Sequence, residues 1–256
     1  MSLIIAAAQS TSIRGDVPRN VARHLDFGTL AAEHGVQLLV FPELSLTGYE
    51  LAIARANALH PESAVLEPLR RLAEDAQITM VAGAPVMNES GELNIGAIAI
   101  RPDGSASLYT KEHTHHSEEG VFRPGRGGSV LLVKDAAVAL AICADAKQPQ
   151  HAARAAAAGA NIYAASVMIT EEEYSPKAAL LESYARQHRM ATLMANYSGE
   201  TGGSVPAGRS AVWSENGLLV AASTGTEEAL VVGRKDDGAW SGFVLPVSAQ
   251  VHKAAH

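Results

Sequence analysis

The sequence predicts a layered α/β domain, in which helices cover sheets that contain both parallel and antiparallel strands. Helix-like and strand-like segments alternate in the first part of the chain, which is typical of strands connected through helices. Pairs of strand-like segments accumulate later, and turn residues join them, which favours antiparallel neighbours. No Pro- or Gly-rich linker divides the 256 residues. We therefore predict a single domain over residues 1–256.

The first part of the chain predicts the order strand, helix, strand, helix, strand. "LIIAAAQS" and "VQLLVFPE" are short apolar runs typical of buried strands, and Val17 to His34 between them has apolar residues at helical spacing. Glu62 to Gln77 is predicted to be the second helix, and "ITMVAGAPV" the strand after it. "LNIGAIAI" and "SASLYTK" are predicted to form a hairpin through the turn "RPDG".

The second part of the chain repeats this alternation and then becomes rich in strands. "SVLLVKDAAVALAIC" predicts two strands, broken at its Lys-Asp pair. A helix is predicted from about Gln148 to Ala158, followed by the strand "NIYAASVMI" and a helix over Ser175 to Arg189 with Pro176 in its first turn. The remaining predicted strands are "TLMANY", "SAVWS", "LLVAAS", "ALVVG" and "WSGFVLP".

Composition excludes several classes of function. The net charge of −7 disfavours a general nucleic-acid partner, because a phosphate-binding surface needs an excess of cations. The longest strictly apolar run, Ala136 to Ala144, is nine residues, whereas a membrane helix needs roughly 20. The single cysteine cannot form an internal disulfide, and the N-terminus lacks the basic start and long apolar core of a signal peptide. We predict a cytoplasmic protein without a membrane span.

The single cysteine, Cys143, is a candidate nucleophile. It ends a predicted buried strand and precedes a predicted helix, where unpaired backbone N–H groups and the helix dipole favour a thiolate. The competing interpretation is an inert buried thiol, since free cysteines are among the most frequently buried residues. The position of Cys143 alone does not decide between the two.

Two further strand ends carry charged residues. "LLVFPELSLTGY" places Glu43 directly after a buried strand, and "SLYTKEHTHHSEEGVFRPG" places Lys111 after another, with Glu118 in the same loop. Strand ends are where α/β folds position their sites. Taken singly, Glu43 could be a capping or exposed residue and Lys111 a solvated surface lysine.

Together the three segments resemble the nitrilase, or carbon–nitrogen hydrolase, superfamily, whose site is a Glu-Lys-Cys triad in that chain order. "FPELSLTGY" matches its glutamate motif at Glu43, "YTKEH" its lysine motif at Lys111, and "ICADAKQPQ" its cysteine motif at Cys143. Glu118 matches a second glutamate of the family, and the resemblance extends over residues 3 to about 225. It implies a four-layer α-β-β-α sandwich that forms a homodimer, or a higher homo-oligomer, through a helical face.

The resemblance also implies a catalytic role for each of these residues. Cys143 would attack the substrate carbon, and Glu43 would move protons between the thiol, the leaving amine and water. Lys111 and the backbone N–H of Ala144 would stabilise the oxyanion. Glu118 would position the substrate or hold Lys111.

Other matching segments imply further site residues. Ser166 in "GANIYAAS" and Asn196 in "MANYSG" would contribute to the oxyanion or substrate site. Arg154 would pair with Asp145 to orient the cysteine turn, although a solvated helix arginine is an equal alternative. His113 would support the lysine loop.

Departures from the family pattern bear on the substrate. Ala144 stands where an aromatic residue is common, Gln150 where the cysteine motif has glutamate, and Gln187 where a glutamate is common. We predict an amidase that releases ammonia from a small amide, either an ω-amide or a carbamoyl compound, through a thioester. The alternatives are a nitrile hydrolase of the same family and a catalytically weak regulatory homologue.

A third alternative is a zinc-binding module built on the histidine-rich loop. His113, His115 and His116 lie among glutamates, but the helical His-Glu-x-x-His spacing is absent. We predict no metal and no cofactor, with a small amide-like molecule and water as the partners of the site.

Overall fold

The computed structural model describes residues 2–247. Within this range the chain forms strands and α-helices, joined by loops and short 3₁₀ helices. The strands are β1 (Ser2–Gln9), β2 (Leu38–Val40), β3 (Thr79–Met87), β4 (Leu93–Ile100), β5 (Ala106–Thr110), β6 (Leu131–Val133), β7 (Ala136–Ile142), β8 (Ile162–Ser166), β9 (Ala191–Ala195), β10 (Ala211–Trp213), β11 (Leu219–Ala222), β12 (Ala229–Asp236) and β13 (Ala239–Pro246). The α-helices are α1 (Val17–Glu33), α2 (Glu67–Ala76), α3 (Pro149–Ala157) and α4 (Glu171–His188).

The strands form two mixed sheets with parallel strands at their centres. The first sheet has the order β13-β12-β1-β2-β3-β4-β5, and the second has the order β11-β10-β9-β8-β7-β6. Strands β1, β2 and β3 are parallel to one another, as are β7, β8 and β9, whereas the outer strands pair antiparallel. The predicted mixture of parallel and antiparallel strands is confirmed.

Strand β1 shows how the layers are built. Its side chains alternate between two apolar environments, as the twofold repeat of a strand requires. Ile5 and Ala7 belong to the core shared with the second sheet, whereas Ile4 packs in a separate core with Phe27 of α1 and Leu69 of α2. On the far side of the second sheet, α3 and α4 bury their own apolar faces against its strands. The predicted four-layer α-β-β-α arrangement is confirmed.

Helix α4 differs from its prediction. It begins at Glu171, so Pro176 is its sixth residue and not part of its first turn. Three consecutive glutamates, Glu171 to Glu173, occupy the first turn, where the positive end of the helix dipole stabilises carboxylates. This early start carries the polar first turn of α4 alongside the cysteine turn. Within residues 2–247, none of the helices has the length and apolar character needed to cross a membrane.

Candidate active site

Glu43 lies in a tightly held turn after β2. Its side chain is buried, and its backbone carbonyl accepts a hydrogen bond from the hydroxyl of Tyr197 at 2.7 Å. The turn is also bonded to β3, since the amide of Leu46 donates to the carbonyl of Gly83 at 2.9 Å and the amide of Gly83 donates to Ser45 Oγ at 3.0 Å. These contacts fix where the Glu43 carboxylate points.

Gly83 allows this close approach of the two backbones. A Cβ at this position would lie 2.3 Å from the amide nitrogen of Leu44 and 2.7 Å from the carbonyl oxygen of Pro42. Real Cβ atoms do not approach backbone this closely, so any side chain at Gly83 must displace the Glu43 turn.

We expect Gly83→Ala to lower both kcat and thermal stability, because the turn that carries Glu43 cannot move without losing its hydrogen bonds. A matched control is Gly225→Ala, whose Cβ would meet nothing within 4 Å. Steady-state kinetics and thermal melting of both variants provide the check. Equal behaviour of the two alanine variants would contradict the proposed constraint.

Lys111 follows β5 and brings two carboxylates together. Its Nζ lies 2.6 Å from Glu43 Oε1, and 2.6 Å and 2.8 Å from the two carboxylate oxygens of Glu118. Lys111 and Glu118 are fully buried and Glu43 is 1% exposed. A buried ammonium between two carboxylates forms charge-assisted hydrogen bonds that fix all three groups.

Two contacts that the sequence did not indicate hold Glu118. The hydroxyl of Tyr49 donates to Glu118 Oε1 at 2.7 Å, and the backbone amide of His115 donates to Oε2 at 2.8 Å. Tyr49 is the last residue of the glutamate motif "FPELSLTGY", but nothing in its local pattern indicates a contact with a residue 69 positions away. With these partners Glu118 orients Lys111, which is one of the two roles considered for it.

Cys143 starts a tight turn between β7 and α3. Its φ of +42° lies in the left-handed region, which is strained for a residue other than glycine by about 1–3 kcal/mol. The residues from Cys143 to Lys147 form a 3₁₀ helix that precedes α3, so the predicted strand-to-helix position is correct with an extra turn inserted. Cys143 is 7% exposed, and its Sγ lies 3.8 Å from the carbonyl oxygen of Met168.

Burial governs the protonation of the cluster. Burial raises the pKa of Glu43 to about 7, although the charge of Lys111 opposes the change. Burial also raises the pKa of the Cys143 thiol to about 11, with the charge of Glu43 acting in the same direction. For Lys111, burial would lower the pKa, but the surrounding Glu43, Cys143 and Glu118 outweigh it and the pKa is raised. The resting site thus holds a neutral thiol and a charged ammonium near a carboxylate that titrates close to neutral pH.

The second oxygen of Glu43 is available to accept a proton. Among residues 2–247, Oε2 of Glu43 is buried and makes no hydrogen bond, whereas Oε1 contacts Lys111. An ionised carboxylate with one oxygen anchored and the other open has the form required of a general base.

We expect kcat/KM to fall as the pH decreases through about 7, because protonation of Glu43 removes the acceptor for the thiol proton. The activity should level off above that pH, since the thiol itself stays protonated to about 11. The profile is measured with an uncharged amide, and circular dichroism at each pH controls for unfolding. A flat profile between pH 5.5 and 8 would argue against a proton acceptor with this pKa.

Asp145 joins the cysteine turn to the lysine loop. Its Oδ2 accepts from the amide of Ile142 at 3.0 Å and from the Tyr109 hydroxyl at 2.7 Å. Its Oδ1 accepts from the amides of Glu112 at 3.1 Å and His113 at 2.8 Å. His113 Nδ1 also lies 3.1 Å from Oδ1, and the supporting role of His113 stays a prediction.

The predicted pairing of Arg154 with Asp145 is wrong. Arg154 forms an ion pair with Glu112, while Tyr109 occupies the remaining side of Asp145. His151 Nε2 lies 2.8 Å from the Tyr109 hydroxyl, and burial lowers the pKa of His151, which keeps the ring neutral. The Tyr109 hydroxyl, held by His151, thus donates to the side of Asp145 where Arg154 was expected, so no cation is needed there.

Asn196 has a structural role in place of the predicted substrate contact. It is fully buried, its Oδ1 accepts from the amide of Ile169 at 2.9 Å, and its Nδ2 donates to the carbonyls of Ile169 and Gly208 at 3.0 Å and 2.9 Å. Ser166 ends β8 beside Ile142, and Ala144 is buried in the cysteine turn. The roles implied for Ser166 and for the Ala144 amide remain predictions.

A cavity of about 610 Å³ opens above Cys143. Charged and polar side chains from several loops and from α4 surround it. The lining residues are Tyr49, Glu50, Leu51, Ala52, His115, His116, Ser117, Cys143, Met168, Thr170, Glu172, Glu173, Lys177, Gly202 and Ser204. The cavity is large enough for a small ligand and gives access to the thiol.

The histidine-rich loop does not assemble a metal site in the described part of the chain. His113 turns towards Asp145, and His115 Nδ1 lies 2.8 Å from Ser117 Oγ. Across residues 2–247, no three or more His, Cys, Asp or Glu side chains converge in a way that could hold a metal ion. The zinc-module alternative therefore has no ligand set in this range.

Residues 4–239 match the model of the family described as carbon–nitrogen hydrolase. The triad geometry and the four-layer fold thus define the class, and the chain belongs to the carbon–nitrogen hydrolase family. This confirms the resemblance inferred from the three motifs.

Several relatives and solved structures are similar to the chain. A structure of an amidase from Nesterenkonia sp. AN1, of the nitrilase superfamily, superimposes with a TM-score of 0.82 at 28% identity and covers 90% of each chain. A cysteine-to-alanine mutant of that amidase has been solved in complex with butyramide. An (R)-stereoselective amidase from Pseudomonas sp. is 28% identical over 181 residues, which span 70% of this chain but 61% of that protein. A nitrilase from Pyrococcus abyssi is 28% identical over 211 residues, covering 80% and 79% of the two chains.

Proposed function

We propose that the protein is an amidase that hydrolyses small carboxamides through a thioester at Cys143 and releases ammonia. The observation that carries this proposal is the buried Lys111 ammonium, which Glu43 and Glu118 hold in a site that includes the Cys143 thiol. Family membership and the similarity to an amidase of known structure support it.

The acylation step follows from the charges of the cluster. Glu43 takes the thiol proton as sulfur bonds to the amide carbon, which avoids a free thiolate in a site where burial raises the thiol pKa. The oxygen of the tetrahedral intermediate gains negative charge near the Lys111 ammonium and the Ala144 amide, and each well-placed donor contributes roughly 3–4 kcal/mol. Glu43 then gives its proton to the nitrogen, the C–N bond breaks, and ammonia leaves.

Deacylation reuses the same groups. Glu43 removes a proton from water, the resulting oxygen bonds to the thioester carbon, and Lys111 again faces the developing oxyanion. The C–S bond breaks, the carboxylic acid is released, and the proton returns to sulfur. One carboxylate can serve as base and acid in turn because its pKa lies near neutral pH.

Nitrile hydrolysis is the second candidate, favoured by the similarity to the Pyrococcus abyssi nitrilase. It would also begin with attack by Cys143, but it forms a thioimidate whose nitrogen must be protonated. By the resemblance, Ala144 stands where an aromatic residue is common, and the smaller side chain would suit a planar amide beside the nucleophile. A purely regulatory protein is disfavoured, because Glu43, Lys111 and Cys143 are all present and Lys111 contacts both Glu43 and Glu118.

We expect kcat/KM for a short amide to exceed that for its matching nitrile by tenfold or more, about 1.4 kcal/mol of transition-state discrimination. Butyramide and butyronitrile share one carbon skeleton and are compared by ammonia release, with the matching carboxylic acid quantified as the second product. An equal rate or a preference for the nitrile would reverse the assignment. Absence of turnover on all short amides would contradict the amidase proposal itself.

We also propose that the protein is a homo-oligomer and that it is located in the cytoplasm. A homodimer, or a higher homo-oligomer, is implied by the resemblance, and a reducing cytoplasm suits a protein whose one cysteine must stay reduced to act as a nucleophile. Analytical ultracentrifugation measures the first property, and fractionation of cells measures the second.

A further inference from the structure

We propose that Lys177 makes the site selective for amides that carry a carboxylate, the ω-amido acids and related N-carbamoyl acids. This inference rests on the proposed amidase function and concerns which amide the same site accepts.

Lys177 stands inside the cavity near the nucleophile. It belongs to α4 and lines the cavity together with Cys143, and its side chain is only 11% exposed. Burial raises the pKa of the Cys143 thiol, and the charges of Lys111 and Lys177 are the two that oppose the rise. Lys111 already pairs with Glu43 and Glu118, so Lys177 is the second ammonium whose charge acts on the reacting sulfur.

The neighbours of Lys177 leave its positive charge in excess. Lys177 Nζ lies 3.0 Å from one oxygen of Glu173, and Lys147 Nζ lies 3.4 Å from the other. Two ammonium groups therefore share one carboxylate, and the cluster of Lys147, Glu173 and Lys177 carries a net charge of +1 (two positive charges and one negative). An ammonium has three donors, and Glu173 is the one ion-pair partner of Lys177 within residues 2–247.

The other acids around the cavity do not cancel this excess. Glu50 forms an ion pair with Arg14 at 3.3 Å and accepts from the amide of Gly202 at 2.9 Å. Glu172 also lines the cavity but is exposed, so solvent and salt screen its charge. The Lys177 side chain is only 11% exposed and is screened less, so the wall of the cavity formed by α4 favours an anion.

This excess indicates what the non-reacting end of the substrate carries. A carboxylate on the substrate would accept charge-assisted hydrogen bonds from Lys177, whereas a neutral chain would leave a desolvated ammonium with a single partner. An amine on the substrate would be repelled. The substrate class that fits has an amide or carbamoyl group at one end and a carboxylate at the other.

The test compares succinamate with 4-methylpentanamide, in which an isopropyl group replaces the carboxylate. For the wild-type protein we expect the higher kcat/KM with succinamate. In Lys177→Met, the ratio of the two kcat/KM values should fall tenfold or more, equivalent to about 1.4 kcal/mol. Lys134→Met is the matched control, because this lysine lies between β6 and β7 and does not line the cavity, and its ratio should stay at the wild-type value.

A binding measurement separates this inference from the proposed function. Calorimetry with Cys143→Ala, with and without Lys177→Met, gives the affinities of both amides without turnover. Loss of succinamate affinity on removal of Lys177 supports the inference even if Lys177→Met is too unstable for kinetics as a single variant. An unchanged ratio, a wild-type preference for the neutral amide, or equal affinity for both would overturn it, whereas failure to hydrolyse any amide would overturn the amidase proposal.

Discussion

Replacing Cys143 with alanine is expected to abolish ammonia release while leaving the fold intact. In the proposed mechanism the thiol forms the acyl intermediate, and the C–N bond is too stable to be cleaved by the remaining donors at a comparable rate. Alanine keeps a Cβ at the strained φ of +42°, so the substitution removes sulfur without changing the backbone requirement. Loss of one small buried atom should cost about 1 kcal/mol, or roughly 2–4 °C in Tm.

The experiment pairs kinetics with mass spectrometry. Ammonia release and thermal melting are measured for Cys143→Ala and for Cys143→Ser, which keeps a polar atom at the same position. Acid-quenched wild-type protein should show the mass of an acyl adduct during turnover, and neither variant should show the thioester. Near wild-type turnover in Cys143→Ala would eliminate the thioester mechanism.

Replacing Lys111 with methionine is expected to remove both activity and several kcal/mol of stability. Glu43 and Glu118 would remain buried without their shared cation, and breaking a buried ion pair in this way costs about 3–5 kcal/mol. For a chain of this size the loss corresponds to roughly 6–20 °C in Tm. The kcat of this variant should also fall, because the oxyanion loses its charged donor.

The loss of stability should depend on pH in a defined direction. Lys111 lowers the pKa of Glu43 against the effect of burial, so its removal raises that pKa further above the value of 4.5 for a free glutamate. A folded-state pKa above the unfolded one means that the folded protein binds the extra proton, so stability decreases as the pH rises through that pKa. The Lys111→Met variant should therefore be closest to wild type at pH 5 and furthest from it at pH 8.

Two further variants test the origin of the effect. Adding Glu118→Gln to Lys111→Met removes one uncompensated charge and should recover part of the stability but none of the activity. Lys111→Arg should recover little activity, because a planar guanidinium cannot occupy the position of a point-like ammonium between two carboxylates. If Lys111→Met melts like wild type and keeps most of its kcat, the ion pairs described here do not stabilise the site.

The sequence by itself indicated the candidate triad, through three motifs that resemble those of one family. Local periodicity was enough to place each of these residues near the end of a strand: Lys111 and Cys143 directly follow β5 and β7, and Glu43 is the third residue after β2. The order of helices and strands followed for the same reason. The assignment of residues 1–256 to a single domain remains a prediction.

The tertiary structure decided which partners these residues meet. Arg154 was expected beside Asp145, but Tyr109 and His151 occupy that side, and Asn196 bridges backbone groups away from the cavity. Local patterns carry no information on these contacts, because they join strands from different parts of the chain. Side-chain hydrogen bonds across such distances depend on how the layers pack, which the periodicity of a single segment does not encode.

The start of α4 is a second feature that the sequence alone did not predict correctly. The proline suggested a helix beginning at Ser175, whereas the helix begins at Glu171, with Pro176 as its sixth residue and three glutamates in a first turn where the helix dipole favours carboxylates. That shift places Glu173 and Lys177 one turn apart on the wall of the cavity. The chemistry of the nucleophile was thus determined by the sequence, while the charge that faces the substrate was decided by packing, since only the folded chain brings α4 against the cysteine turn.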